Sequence, residues 1–283
     1  MRPPTTPHSV LAHYFAPPAA QGALTMDEWE RLLDAYGDRL ISAPDWLARA
    51  LAGSLTHECA VSMDDGLAEQ LPAITRCERR GLRVFVNPYT QPLVGVPHSL
   101  EQHRATRNRY GVEDFYARWR EIVKDAGYAP YHYLADRGYL TDEDRAFRYW
   151  RNELAEPLEY ERVMAILAGE AATLWISHWL GASDLRELRA AGHVIGAHTH
   201  THATAMQYLT REQQATEWAT SKFILESILG ESVTTASWPC GQVTEYGIEW
   251  LRANGITLAW GATMLGEVPY NAPRWSSGYW RSE

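Results

Sequence analysis

The sequence predicts an α/β domain of the barrel type, in which short buried strands alternate with amphipathic helices. An apolar run over residues 59–63 leads into the segment Asp64 to Gly66, and a helix predicted over Leu67–Arg80 comes after it. Further on, the predicted helix Asp184–Ala191 precedes a short strand, 193–197, which is followed directly by His198. Both polar segments therefore follow strands, at the edge where α/β barrels place their chemistry.

The other predicted strands and helices continue this alternation along the chain. In order they are the strand Val10–Phe15, the helix from Thr25 with its capping box to Tyr36, the strands 82–86, 173–176 and 193–197, and the helix Thr210–Leu229 with a stop at Gly230. We expect one catalytic domain over residues 1–283, with a mostly helical insertion at 90–168 that is rich in aromatic and charged residues. That insertion either packs on the side of the barrel or covers the strand ends as a lid.

Composition narrows the class of protein. The chain has 283 residues, 46% of them apolar, and a formal net charge of −9, so it is a poor candidate for binding nucleic acid or an anionic membrane. Its three cysteines, Cys59, Cys77 and Cys240, show no metal-type spacing and predict no disulfide framework. The sequence shows neither an apolar leader nor a membrane span, and we expect a cytoplasmic protein.

Two carboxylates and two imidazoles are the candidate chemical groups. The residues His198 and His202 are four positions apart, a spacing that predicts two side chains on one side of a helical turn. Together with one carboxylate from the Asp64-Asp65 pair, they form a three-ligand set for a divalent metal that leaves positions open for water and substrate. The second carboxylate is then available as a base. Zn²⁺ is the expected ion, with Ni²⁺ or Co²⁺ as alternatives.

Several segments of the chain resemble one family. The segment Ser62 to Gly66 resembles the Thr-Phe-Asp-Asp-Gly motif of the polysaccharide deacetylases (NodB-homology, carbohydrate esterase 4), and Gly192 to His202 resembles their second motif. The segment Ser237 to Gly241 resembles the third motif in the variant of the biofilm poly-N-acetylglucosamine deacetylases, where the usual Arg is absent. Leu11 to Tyr14 resembles the N-terminal segment of that branch, which carries the acid His at the start of the chain.

This resemblance implies a fold and a set of roles. The fold is a distorted (β/α) barrel with fewer than eight strands. The implied metal ligands are Asp65, His198 and His202, and the implied general base is Asp64. No histidine follows His202, so the family's usual C-terminal acid is missing. Either His13 replaces it or the acid is lost. His178 is the next candidate for the acid if His13 lies far from the site.

The third motif and the C-terminal segment supply the predicted substrate-binding residues Trp238, Pro239, Cys240 and Arg274. An indole ring suits the apolar face of a sugar, so Trp238 is predicted to form a wall of the pocket. A buried, inert thiol is the alternative for Cys240. Arg274 lies in a segment resembling one whose Arg bonds the base carboxylate, and a plain surface arginine is the alternative.

The expected function is metal-dependent amide hydrolysis, with removal of the acetyl group from an N-acetylated sugar or a saccharide intermediate of polysaccharide biosynthesis. The expected partner is therefore a small-molecule or oligosaccharide substrate. Two other functions stay open. One is a deformylase or a hydrolase of non-sugar C–N bonds, as in allantoinases and imidases that use the same scaffold. The other is an inactive barrel that binds a saccharide, which the retained Asp64 argues against.

Overall fold

The computed structural model describes residues 3–15, 23–96, 107, 110–124, 128–135, 140–169, 178–264 and 268–277. The chain divides into two compact units. The barrel unit comprises Met1–Val94 and His178–Glu283, and the helical unit comprises Gly95–Ser177. The predicted single domain with an insertion at 90–168 stays a prediction.

The barrel unit is built on parallel strands. Within the described residues they are His8–Ala12 (β1), Cys59–Asp64 (β2), Phe85–Asn87 (β3), Val194–Ile195 (β4), Thr235–Ser237 (β5), Leu258–Trp260 (β6) and Arg274–Ser276 (β7). Five of them form a sheet in the order β4-β3-β2-β1-β7, and β5 pairs with β6. The parallel bridges Ala197–Ala236 and Trp260–Ala272 join the two sheets on both sides. The ring is thus a distorted (β/α) barrel of fewer than eight strands, as expected.

Helices surround the strands of the barrel unit and bury one apolar face each against them. Before the helical unit they are Met26–Tyr36 (α1), Ala43–Leu51 (α2) and Leu71–Arg79 (α3). The helical unit contains Val112–Ile122 (α4), Asp142–Tyr149 (α5), a π-helical turn at Trp150–Leu154, and Pro157–Ala168 (α6). The barrel unit continues with Ala182–Ala190 (α7), Arg211–Leu229 (α8) and Glu245–Ala253 (α9). Among the described helices, none combines the length and apolar character that crossing a membrane requires.

The predicted helix caps are confirmed at two helices. The Thr25 hydroxyl accepts from the Glu28 backbone N–H while the Glu28 carboxylate accepts from the Thr25 N–H, and this capping box starts α1. Helix α8 begins in the same way, with Thr210 and Gln213. It ends at Gly230, whose φ of 72° is the left-handed conformation that suits glycine.

The helical unit has an aromatic core of its own. Its buried rings include Phe115, Trp119, Phe147 and Trp150. Phe115 and Trp119 pack edge to face on Phe147, and Trp150 contacts Trp119 and Phe147 at tilted angles. The buried guanidinium of Arg107 donates to the carboxylate of Asp144 at 2.9 Å.

Three predicted strands differ from the observed ones, and the strand predicted over 193–197 is shortened to Val194–Ile195. Strand β1 ends at Ala12 rather than Phe15, and Phe15 instead bridges Leu24. Strand β3 begins at Phe85 rather than residue 82, because the Leu82 N–H donates to the Cys77 carbonyl and finishes helix α3. The predicted strand 173–176 lies outside the described residues.

Candidate active site

Polar residues from several strands meet at one edge of the barrel. Asp64, Asn87 and Ser237 are the last residues of β2, β3 and β5. His13 directly follows β1, and His198 comes three residues after β4. Because these strands are parallel, their carboxyl ends share one side of the barrel. The structure therefore brings the predicted residues of separate motifs to a single site.

A tight turn after β2 presents Asp65. The φ angles of Asp65 and Gly66 are 72° and 65°, both in the left-handed region. The Asp65 N–H donates to the Asn87 carbonyl at 3.0 Å, which fixes the turn against β3. A Cβ atom on Gly66 would lie 2.5 Å from the Cβ of Pro88, so only glycine fits.

Asp65, His198 and His202 form a buried group with the geometry of a metal site. One oxygen of Asp65, Oδ1, lies 3.4 Å from Nε2 of His198 and 3.4 Å from Nε2 of His202. Around a tetrahedral ion with ligand bonds of about 2.1 Å, neighbouring ligand atoms lie roughly 3.4 Å apart. Asp65 Oδ1 is buried and has no hydrogen-bond partner within the described part of the chain. The three side chains thus fit a divalent cation.

The orientation of His198 suits this role. Its Nδ1–H donates to the Ser237 carbonyl at 2.8 Å, so the lone pair is on Nε2, the nitrogen that faces Asp65. The ring of His202 packs edge to face on the ring of Tyr89, with centroids 5.4 Å apart. The phenol oxygen of Tyr89 in turn accepts from the Trp179 indole at 2.6 Å.

The two histidines converge through a loop, and the predicted helical turn is wrong. No helix covers His198–His202, and the φ angles of Thr199 and His202 are 61° and 53°. Left-handed residues bend the chain back so that both imidazoles face Asp65. The spacing of four residues therefore does not reflect a helix, because residues of an ordinary α-helix do not adopt such φ values.

A carboxylate from helix α8 holds this loop in shape. Glu217 accepts from the N–H groups of His200 and Thr201 at 3.0 and 2.8 Å, and from the Thr201 hydroxyl at 2.8 Å. The ring of His200 bonds through Nδ1 to the hydroxyl of Thr90 at 2.9 Å. It is absent from the group that converges on Asp65.

Asp64 is fully buried and held by donors from three strands. Its Oδ1 accepts from Asn87 Nδ2 at 2.9 Å, and its Oδ2 accepts from the Ser237 hydroxyl at 2.8 Å and from Arg274 Nη1 at 2.7 Å. Oδ2 lies 3.9 Å from His198 Nε2, so Asp64 adjoins the candidate metal ligands. Arg274 is itself 2% exposed. It contacts the candidate base, which excludes the alternative of a surface arginine.

Electrostatics keep both carboxyl groups ionised. Burial alone raises the pKa of Asp64, but the charges of Arg274, His198 and His13 outweigh it and lower the pKa to about 2. For Asp65, burial likewise raises the pKa, while the neighbouring imidazoles of His198 and His202 lower it well below the usual value. At neutral pH both carboxylates are therefore ionised. Arg274 balances the charge of Asp64, and the charge of Asp65 remains available to a divalent cation.

His13 lies on the predicted side of the barrel, close to Asp64. Its carbonyl accepts from the side-chain amide of Gln70 at 3.0 Å, and the same amide donates to the Asp64 carbonyl at 2.7 Å. Burial lowers the pKa of His13 below its usual 6.5, while the nearby charges of Asp65 and Asp64 raise it.

The third motif corrects the predicted sugar-binding wall. Trp238 is 0% exposed, its ring packs edge to face on Trp218, and its indole N–H donates to the Tyr270 carbonyl at 2.8 Å. Trp238 therefore belongs to the core and offers no face to a sugar. Pro239 is also buried, whereas Cys240 is exposed, so the predicted inert buried thiol is wrong.

Four residues of this site were not among the predicted candidates, namely Asn87, Ser237, Gln70 and Glu217. Asn87 and Ser237 end buried strands, and a polar residue at that position was the available signal. Gln70 and Glu217 act through backbone groups of residues far away in sequence, and no sequence pattern indicates such contacts. The reserve acid His178 is exposed.

Comparisons with known proteins agree with this architecture. The family model described as polysaccharide deacetylase matches residues 160–259, and no curated protein matches the chain. Similar solved structures include the Streptococcus pyogenes deacetylase PplD in complex with acetate, with 12% identity, a TM-score of 0.59, and coverage of 96% of this chain and 91% of that one. IcaB from Ammonifex degensii has 15% identity, a TM-score of 0.58 and the same coverage.

The deacetylase domain of BpsB from Bordetella bronchiseptica has 11% identity and a TM-score of 0.55, and 96% of each chain is covered. At these identities the structural similarities show a shared fold. The family match covers the His198 loop, strands β4 and β5, and the first two residues of β6. The chain is therefore similar to the polysaccharide deacetylase family model over residues 160–259, and it shares the fold of these solved structures.

Proposed function

We propose that this protein is a metal-dependent hydrolase that removes the acetyl group from an N-acetylated sugar or saccharide intermediate of polysaccharide biosynthesis. One observation carries the proposal. Three ligand atoms from Asp65, His198 and His202 converge beside Asp64, a carboxylate that is anchored separately. A site that only binds a metal has no use for this second, independently held carboxylate.

The metal would be held by Asp65 Oδ1 and by Nε2 of both histidines. A divalent ion there, for which we propose Zn²⁺, would lower the pKa of a bound water and polarise an acyl carbonyl. Three protein ligands leave positions open for both molecules.

Asp64 would act as the general base. Its pKa of about 2 keeps it ionised at neutral pH, and it lies next to the ligand His198 without a place among the three ligand atoms. Arg274, Ser237 and Asn87 fix the carboxylate, so it is already oriented when it accepts the proton of the attacking water.

His13 would deliver the proton that the departing amine needs. It follows the strand next to that of Asp64 and feels the charges of Asp64, Asp65 and His198. Burial lowers its pKa below the usual value, which favours the neutral imidazole. It would therefore pass on a proton received within the site.

The nature of the acyl group is proposed from the relatives. One similar structure is described as a deacetylase in complex with acetate, and another as a deacetylase domain. The alternative functions are distinguished by their products. A deformylase would release formate, a hydrolase of other C–N bonds would release other products, and an inactive saccharide-binding barrel would release none.

A product panel combined with metal analysis tests this proposal. The purified protein would be loaded with Zn²⁺, Ni²⁺ or Co²⁺ and assayed for acetate, formate and ammonia from N-acetylated sugars, N-formylated sugars and cyclic amides. We expect acetate from an N-acetylated sugar, loss of that activity with a chelator, and recovery with metal. Formate or ammonia alone would favour the other hydrolases, and saccharide binding without any product would favour the inactive barrel.

A further inference from the structure

We propose that Gln70 is a positioning residue that sets His13 opposite Asp64, an inference that rests on the proposed deacetylase function. Gln70 is 0% exposed and ends the short 3₁₀ turn Ala68–Gln70 that follows the first motif. Its Nε2 donates to the His13 carbonyl at 3.0 Å and to the Asp64 carbonyl at 2.7 Å. One amide group thus uses both of its N–H donors to join the chain at the proposed acid to the chain at the proposed base.

The amide has one orientation that satisfies its surroundings. Both neighbours are carbonyl oxygens, so only the NH₂ end of the Gln70 amide can face them. Its Oε1 is buried and has no hydrogen-bond partner in the described residues, which is energetically unfavourable. The arrangement therefore favours the two carbonyl contacts over complete pairing of the side chain.

His13 depends on this contact more than Asp64 does. The pairing of β1 with β2 ends at Ala12 and Met63, and the pairing of β1 with β7 ends at Leu11 and Ser276, so His13 lies beyond both ladders. Asp64 is still paired with Asn87 of β3, and its carboxylate has three donors of its own. Loss of the Gln70 amide should consequently release His13 and leave Asp64 in place.

The residue before Gln70 supports the same segment. The Oε1 of Glu69 accepts from the backbone N–H of Phe15 at 2.8 Å. Two consecutive residues of the turn thus hold the chain on both sides of Tyr14, at the carbonyl of His13 and at the N–H of Phe15. The loop that carries the first motif thereby also fixes the strand end that carries the proposed acid.

The leaving group of the substrate separates displacement of the acid from general damage. An amide nitrogen leaves as an amine only after it gains a proton, whereas 4-nitrophenolate leaves without one. A variant that misplaces His13 alone should lose amide hydrolysis and keep hydrolysis of 4-nitrophenyl acetate. A variant that disturbs Asp64 or the metal ligands should lose both.

The test compares Gln70→Met, which keeps the volume and removes the donors, with His13→Ala and the parent protein. A matched control is Gln214→Met, because Gln214 is also a buried glutamine with two hydrogen bonds but contacts Leu209 and Thr244 instead. For Gln70→Met we expect kcat on an N-acetylglucosamine oligomer to fall about 100-fold with KM nearly unchanged. Hydrolysis of 4-nitrophenyl acetate should stay within about threefold of the parent, since it needs no acid, and metal content should be unchanged.

Equal losses on both substrates in Gln70→Met would overturn the proposal, because they would indicate a merely structural role. Parent-like hydrolysis of both would also overturn it. If Gln70→Met does not fold, Gln70→Asn decides by the same ratio, because its shorter amide cannot span both carbonyls. Selective loss of amide hydrolysis in His13→Ala but not in the Gln70 variants would contradict the role of Gln70 and leave the role of His13 supported. No acetate from the parent would remove the proposed function, and this inference with it.

Discussion

Nη1 of Arg274 donates to Oδ2 of Asp64 at 2.7 Å, although 210 positions separate the two residues. Both side chains are almost completely buried. Arg274 is held in turn by a hydrogen bond from its Nε to the Gly261 carbonyl. The hydroxyl of Ser237 donates to the same carboxylate oxygen. An arginine from β7 and a serine from β5 therefore orient the candidate base together.

Replacement of Arg274 by Met should shift the pH dependence of the reaction. Burial raises the pKa of Asp64 and Arg274 opposes it, so the pKa rises when the arginine is removed. The acidic limb of the profile of kcat/KM against pH should then move to higher pH. Breaking a buried pair also costs about 3–5 kcal/mol of folding free energy, to be measured by denaturant unfolding. An acidic limb at the same pH as the parent's would contradict this role of Arg274.

Replacement of His202 by Ala should remove the metal and the activity together. The change deletes one of three ligand atoms and leaves Asp64 and His13 in place. Elemental analysis after dialysis should show far less bound metal than in the parent. The exposed His57 is the matched control, since His57→Ala alters no residue of the site. Normal metal content in His202→Ala would show that the ion binds elsewhere.

Replacement of Glu217 by Gln should weaken metal binding without abolishing it. The carboxylate accepts hydrogen bonds from two backbone N–H groups and one hydroxyl of the loop that carries His198 and His202. A neutral amide accepts weaker hydrogen bonds from the same donors. Loss of such an indirect contact typically lowers metal affinity about 10–100-fold. Competition with a chromogenic chelator measures the change, and Glu212→Gln on the exposed start of the same helix is the control. Equal affinities in both variants would rule out this role.

Replacement of Gly196 by Ala should disturb both folding and the base. A Cβ atom there would lie 2.3 Å from Oδ1 of Asn87 and 2.7 Å from Oγ1 of Thr235. Asn87 would have to move away from Asp64, and overpacking of this kind costs about 1–3 kcal/mol. The midpoint temperature of thermal unfolding and the rate of acetate release should both fall. At Gly181 the added Cβ meets only an ordinary contact at 3.6 Å, so Gly181→Ala serves as the control.

The sequence is sufficient to predict the common location of the main residues. Short apolar runs in the sequence reveal the strands that lead to His13, Asp64 and His198. Parallel strands in a barrel bring their carboxyl ends together, so these three residues are expected at one site. Helix caps such as Thr25 with Glu28 are also local patterns, and the structure confirms them. Structure that neighbouring residues determine can therefore be predicted from the chain alone.

Features that depend on distant contacts cannot be predicted in this way. The loop that joins His198 to His202 needs left-handed residues and the carboxylate of Glu217, neither of which the spacing of the histidines indicates. The fit of indole rings to sugars favours Trp238 as a pocket wall, but Trp218 and Tyr270 enclose it. Packing between distant segments determines which tryptophans enter the core.

The most direct test of the proposed mechanism is the rate of acetate release per bound metal ion in Asp64→Asn. Asparagine keeps the size of the side chain but cannot accept the proton of water, and the ligand atoms of Asp65, His198 and His202 are unchanged. We predict normal metal content and acetate release from the N-acetylated sugar that is lower by about 10²–10⁴-fold. Acetate release at the rate of the parent, with the same metal content, would contradict the assignment of Asp64 as the base of a metal-dependent deacetylase.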